Sequence, residues 1–140
     1  MLQYKLFHNW EISFPDDWSA KYDTENGQYI FYPTDSDLTF RLTPFHARKE
    51  DQPAPIDIME NAYTNSIPIS AKLRDPDSLA LEGLHVKAYE TKQIQNGKSV
   101  YSIHVGYYTV GNLLSINIFS TYKPECEQAL CHLKTIKFSS

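Results

Sequence analysis

Five histidines, two cysteines and a scatter of serines and carboxylates are the groups in this 140-residue chain that could do chemistry. A zinc protease needs two histidines four apart on one helix face. His8, His46, His85, His104 and His132 show no such spacing. Serine catalysis of the hydrolase type needs a glycine-flanked elbow, and no serine has one. Cys126 and Cys131 stand five apart on an expected helix, which sets them ~7.5 Å apart along the axis and on different faces. A disulfide needs Cα atoms within about 7 Å, and no further Cys or His completes a zinc set. Both cysteines therefore read as small core or boundary residues. Asp35-Ser36-Asp37 lacks the glycine and distal glutamate of a calcium loop and reads as turn chemistry. With no glycine-rich phosphate loop either, the expectation is no catalytic residue, no metal and no cofactor.

One constellation survives, and it depends on strand register. Asn96-Gly97 is a strong type I′ hairpin signal, and Gly111-Asn112 fits a second two-residue turn. Together they predict a three-stranded meander over residues 84–120. Around the first turn Ala88 would face Val105 and Val86 would face Tyr107. Around the second, Val105 would face Ile118 and Tyr107 would face Ile116, so apolar side chains share one face. The opposite face would carry Tyr89, His104 and Phe119 in one row and His85, Tyr108 and Ser115 in the next, with Gly106 and Asn117 between them. Aromatic rings with polar tips bury area at low entropy cost and keep a hydrogen bond, as binding surfaces do. His85, Tyr89, His104, Tyr108, Asn117 and Phe119 are thus the candidate ligand- or partner-binding residues. If the second helix covers this face, the same polar tips merely reach water at its rim. A metal held by His85 and His104 would use a diagonal pair with no carboxylate on the patch to complete it.

The remaining elements must position that meander. Trp10–Phe14 alternates apolar and polar as a half-buried strand ended by Pro15. Tyr29–Tyr32 and Leu38–Thr43 read as two more strands, and Leu2–Phe7 as a possible extra one. Residues 46–55, charged and proline-containing, form the longest irregular stretch. Ile56, Met59, Ala62 and Tyr63 recur at helical spacing behind early acidic residues. A second helix starts near Pro124 with Cys126, Ala129, Leu130 and Leu133 as its stripe, and Thr135–Phe138 alternates as a final strand. The order β-β-β-α-β-β-β-α-β, with sequential strands on short turns, predicts an α+β fold with an antiparallel β-sheet flanked by helices, an α/β/α sandwich.

Length and composition bound the rest. The chain has the size of a single domain over 1–140, long enough to fold without staples, and its ten Tyr and seven Phe argue against disorder. A formal net charge of −4 leaves no basic footprint for nucleic acid, since Glu50 and Asp51 follow Arg48-Lys49 at once. Apolar runs fall far short of the ~20 residues that span a bilayer. The first eight residues lack a secretory signal's apolar core, so the expected location is the cytoplasm.

Two stretches carry a family resemblance. Ile12-Ser13-Phe14-Pro15-Asp16-Asp17-Trp18 with Gly27-Gln28-Tyr29-Ile30-Phe31-Tyr32-Pro33 resembles the opening of the PsbP-like (Mog/PsbP-type) superfamily. Ala129-Leu130-Cys131-His132-Leu133-Lys134-Thr135-Ile136-Lys137-Phe138 is similar to its closing helix and strand. The resemblance covers about a third of the chain. It implies an antiparallel sheet with helices on both sides, in a superfamily of mostly binding or assembly proteins. No residue matches that superfamily's partner sites, so none is carried over. The resulting expectation is a non-enzymatic binding or adaptor domain with a protein partner. The alternatives are a small-ligand or enzymatic domain using the Tyr89, His104 and Tyr108 face, and an immunity protein that masks a toxin's basic site. The oligomeric state is not legible.

Overall fold

The structure is a computed structural model describing residues 1–140. Its strands are β1 (Leu2–Lys5), β2 (Trp10–Phe14), β3 (Ser19–Asp23), β4 (Gln28–Tyr32), β5 (Thr39–His46), β6 (Arg48–Lys49), β7 (Gln52–Pro53), β8 (Lys72–Arg74), β9 (His85–Gln95), β10 (Lys98–Thr109), β11 (Asn112–Ser120) and β12 (Lys137–Phe138). Helix α1 (Ile56–Ser66) lies between β7 and β8, and α2 (Lys123–Ala129) follows β11. The chain is α+β and all its strand pairs are antiparallel, as expected.

A seven-stranded sheet runs β3-β4-β5-β11-β10-β9-β8, and a separate three-stranded sheet runs β1-β2-β12. The expected single sheet is therefore divided into these two, with β6-β7 as a small separate pair. The reason lies in β2: Trp10, Ile12 and Phe14 are all fully buried, facing the large sheet across one core with Phe31, Phe40, Leu42, Ile103, Val105, Ile116 and Ile118. That core is closed by Cys126, Ala129 and Leu133, the stripe of α2 and of the 3-10 turn Leu130–Thr135 behind it. Pro124 sits in the first turn of α2, where its missing N–H costs nothing. The other face of the large sheet receives α1, whose buried residues are Met59 and Tyr63, while Ala62 points outward.

The meander forms with one correction. Asn96 and Gly97 both have positive φ, 51° and 79°, so the first turn is the expected I′ type, pairing Ala88 with Val105 and Val86 with Tyr107. In the second turn only Gly111 is positive, and Thr109 pairs with Asn112, so the turn residues are Val110-Gly111 rather than Gly111-Asn112. A Cβ on Gly111 would also lie 2.8 Å from Pro53 Cβ, which holds a glycine at this spot. The register moves by two: Val105 faces Ile116, Tyr107 faces Leu114, and Ile103 faces Ile118. A two-residue move preserves which face each side chain takes but reassigns every cross-strand row.

Other elements depart from expectation more simply. Residues 19–23 form a strand closed onto β4, with Asp23 Oδ1 accepting from the Glu25 N–H at 3.1 Å to shape the turn. The 46–55 stretch is not irregular: β6 and β7 form a small hairpin whose turn residues Glu50 and Asp51 both take positive φ, 52° and 64°. The added edge strand β8 pairs with β9.

Candidate functional site

The corrected register builds the α1 side of the large sheet as four rows across β9, β10, β11 and β5. They are His85-Tyr108-Leu113-Phe45, Lys87-Gly106-Ser115-Thr43, Tyr89-His104-Asn117-Arg41 and Thr91-Ser102-Phe119-Thr39. Helix α1, not the second helix, covers this face, and it covers only half of it. Tyr63 lies flat against the glycine at 106, where a Cβ would come within 2.7 Å of its ring. Met59 and Tyr63 pack with Ala54, Tyr108 and Leu113 into a separate small core. Glu60 fastens the helix down by an ion pair to Lys87 Nζ at 2.8 Å and by accepting the Tyr108 hydroxyl at 3.3 Å.

The six expected site residues therefore divide. Tyr108 and His85 stack on each other, centroids 5.4 Å apart, at the seat of α1. Tyr89 turns its ring toward Tyr63, 6.2 Å between centroids. His104 and Asn117 do come together: the Nδ1–H of His104 donates to Asn117 Oδ1 at 2.6 Å, and its Nε2 accepts from the Thr91 hydroxyl at 3.0 Å. Phe119 falls one row further, not beside His104, and carries the Arg41 guanidinium 5.5 Å above its ring.

Past the end of α1 the face is open and polar. Arg41, Pro68, His104 and Asn117 line two adjoining depressions of about 320 and 360 Å³. Ser102, Thr91 and Gln93 border one, Thr43, Ser115 and Gln28 the other, and no carboxylate lines either. Sequence reasoning missed Arg41, Thr91 and Ser102. The alternation of β5 already puts Arg41 opposite the buried Phe40 and Leu42, but its place beside Asn117 comes from the β5–β11 pairing, which joins residues about seventy apart and leaves no local mark.

The chemistry of this surface is quiet. Burial holds the His104 imidazole below its usual titration range, only partly countered by Asn117. With both ring nitrogens engaged, it is a neutral structural bridge and offers no free base. The two-histidine idea fails for the same reason, since His104 has no lone pair left and His85 sits against Tyr108 two rows away. The Cys126 thiol is buried and pushed up to about 12, first by desolvation and then by Glu125 nearby. It is not a nucleophile at neutral pH. Across the molecule no group of three or more His, Cys, Asp or Glu side chains converges. No helix is long and apolar enough to cross a membrane.

The other polar cluster pins α2. Arg74 on β8 makes paired contacts of 2.7 and 2.5 Å to the Glu127 carboxylate, and the Tyr101 hydroxyl donates to Glu90 at 2.9 Å between them. Arg74 holds the Glu127 carboxyl below the usual range. This network ties the edge of the sheet to the helix and needs no ligand to explain it.

No protein-family model and no curated protein matches the sequence. Solved structures do match. Cyanobacterial PsbP (CyanoP) from Synechocystis sp. PCC 6803 aligns with a TM-score of 0.64 at 12% identity, over 99% of this chain and 92% of its own. A structure from Bacteroides thetaiotaomicron VPI-5482 aligns with a TM-score of 0.70 at 15% identity, over 94% of this chain. This chain spans 45% of that Bacteroides chain. The fold is PsbP-like. Identities this low speak for the fold alone.

Proposed function

We propose that this PsbP-like domain is a non-enzymatic binding module that engages a protein partner through the uncovered half of its large sheet. The observation that carries the reading is the contrast within one face: α1 packs over Gly106, Tyr108 and Leu113, whereas past its end Arg41, Asn117 and Ser102 border open depressions beside a neutral, fully engaged His104. Such a surface has donors and acceptors to recognise a partner and no free base, nucleophile or metal set to transform one. Arg41 gives it a cationic centre, and a partner loop or strand with a carboxylate opposite that guanidinium fits it best. A mask for a toxin's basic site would need carboxylates here, and the lining has none. A small-ligand or enzymatic site built on Tyr89, His104 and Tyr108 together finds no support, because Tyr89 and Tyr108 serve the seat of α1.

The test compares tagged wild-type chain with an Arg41→Glu/Ser102→Arg variant in affinity capture, with cross-links mapped on the bait. The expected result is a partner held by wild type, cross-linked around Asn117, and lost from the variant with an unchanged melting temperature. A partner retained equally by the variant, or cross-linked elsewhere, sinks the assignment of this face.

A further inference from the structure

At the end of the large sheet, two histidines remote in sequence come together in a way the binding reading does not use. His46 closes β5, and His8 sits in the turn joining β1 to β2. Their rings lie 5.4 Å apart between centroids with 21° between planes. Two imidazoles sharing one tetrahedral ion at the usual metal–nitrogen length of ~2.0–2.1 Å have ring centres about 5 Å apart. The spacing is near that of a chelating pair; the rings are stacked and their lone pairs lie in the ring planes, so the exposed His8 ring must turn out of the stack for both to meet one ion.

The tautomer is arranged for it. Asn112 Nδ2–H donates to the Val110 carbonyl at 3.3 Å, which aims its Oδ1 at His46. His46 Nδ1–H donates to that oxygen at 3.1 Å. The proton is thereby kept on Nδ1, and Nε2 is left with its lone pair. A carbonyl-type oxygen on the far nitrogen is the usual support of a metal-bound imidazole. His8 is presented at a backbone cost: it has φ 64° and Asn9 has φ 71°, two consecutive left-handed residues without a glycine. Three bonds hold that turn in place: the Leu6 N–H to the Trp10 carbonyl at 2.7 Å, the Phe7 N–H to the Tyr29 hydroxyl at 3.2 Å, and the Ser139 N–H to the Asn9 carbonyl at 3.0 Å. Both histidines are exposed, and they border a depression of about 400 Å³ whose wall includes Asn9 and Thr109, with room for further water ligands.

We infer that His8 and His46 form an open two-histidine site for a divalent transition-metal ion, bridging the small sheet to the large one. Imidazole donors without a carboxylate suit copper(II), nickel(II) and zinc(II), and copper(II) binds tightest among these. Two protein ligands leave the remaining positions to water or to a donor from outside. A bound ion would join the β1–β2 turn to the end of β5.

Copper(II) titrated into the chelator-stripped full chain tests this by calorimetry, electron paramagnetic resonance and thermal melting. The expected result is one ion per chain, a spectrum with two imidazole nitrogens, and a melting temperature raised by several degrees. His8→Asn, which keeps the left-handed backbone, and His46→Gln should each weaken binding about tenfold or more. Asn112→Leu removes no ligand and should weaken it by roughly 10–100-fold through misorientation of His46. Circular dichroism of the variants should match wild type, since both rings are exposed. Copper retained undiminished by the His8→Asn/His46→Gln double variant would place it on another group and overturn the inference, as would no binding by wild type at millimolar copper.

Discussion

The two faces of the seven-stranded sheet are built from the same strands, often from alternate residues of one strand, yet they do different work. One face meets β2, α2 and the turn after it in a cluster of 21 buried residues. The other meets α1 in a cluster of five and then lies open. Polar residues are rare in the first core: Tyr107 is buried there with its hydroxyl spent on the Leu79 carbonyl at 2.7 Å. On the second face polar residues dominate beyond the helix. Most of the buried area thus belongs to one face, and the other keeps a polar half that the proposed binding would use. A binding surface can be varied on such a scaffold at little cost to the fold, because the area that drives folding lies on the far side of the backbone.

The largest expected effect tests the closed face. Phe14 is fully buried and stacks on Phe31 at 4.5 Å and on Trp18 at 4.9 Å. Phe14→Ala should cost about 3–5 kcal/mol in urea unfolding. A loss under 1 kcal/mol would mean that the two sheets do not share one core.

Gly106→Ala comes next, on the covered half of the open face. Its Cβ would meet the Tyr63 ring at 2.7 Å, so overpacking of about 1–3 kcal/mol is expected. Tyr63→Leu in the same chain should recover part of that loss, and additive effects would show that α1 seats elsewhere.

A pH series should then separate the faces by titration. His104 has its folded pKa depressed below 6.5, mainly by burial, and the same holds for His132. For these groups the unfolded chain binds protons first. Their contribution is whole above pH 6.5 and is lost as pH falls below it, down to the folded pKa. Asp37 and Glu127, both lowered by hydrogen bonds, add a further loss below the unfolded carboxylate range. His104→Gln should flatten the fall between pH 7 and pH 5 without removing it, since His132 remains. A slope identical to wild type would mean that His104 titrates freely.

The smallest effect is expected at Arg41. It is exposed, its guanidinium lies 5.5 Å above the Phe119 ring, and it makes no salt bridge. Arg41→Ala should change stability by less than about 0.5 kcal/mol while weakening partner capture. A destabilisation above 1 kcal/mol would make the open rows part of the scaffold after all.

Much of the fold is legible in the residues themselves. Asn96-Gly97 announces its turn because only a few residue types tolerate two consecutive positive φ values. The alternation in Trp10–Phe14 and in Leu38–Thr43 assigns each residue a face, and those faces hold. Gly111 marks a turn but not its position within it, since either central residue can need the glycine, and that ambiguity moves the second register by two. Chemically, His104 and Asn117 are legible as members of one polar face, whereas their mutual bond is not.

The sequence by itself therefore determined the α+β class, the antiparallel meander and most of each helix's apolar stripe. Those are local properties, set by backbone sterics and by periods of two and 3.6 residues. Tertiary structure alone decided that β2 leaves the large sheet to form a second one. It alone decided that α1 covers one part of its sheet face and leaves the rest open, that Arg41 stands beside Asn117, and that His8 meets His46. Each of these depends on contacts between segments far apart in the chain, where the loop between them leaves pairing to packing and carries no residue code of its own.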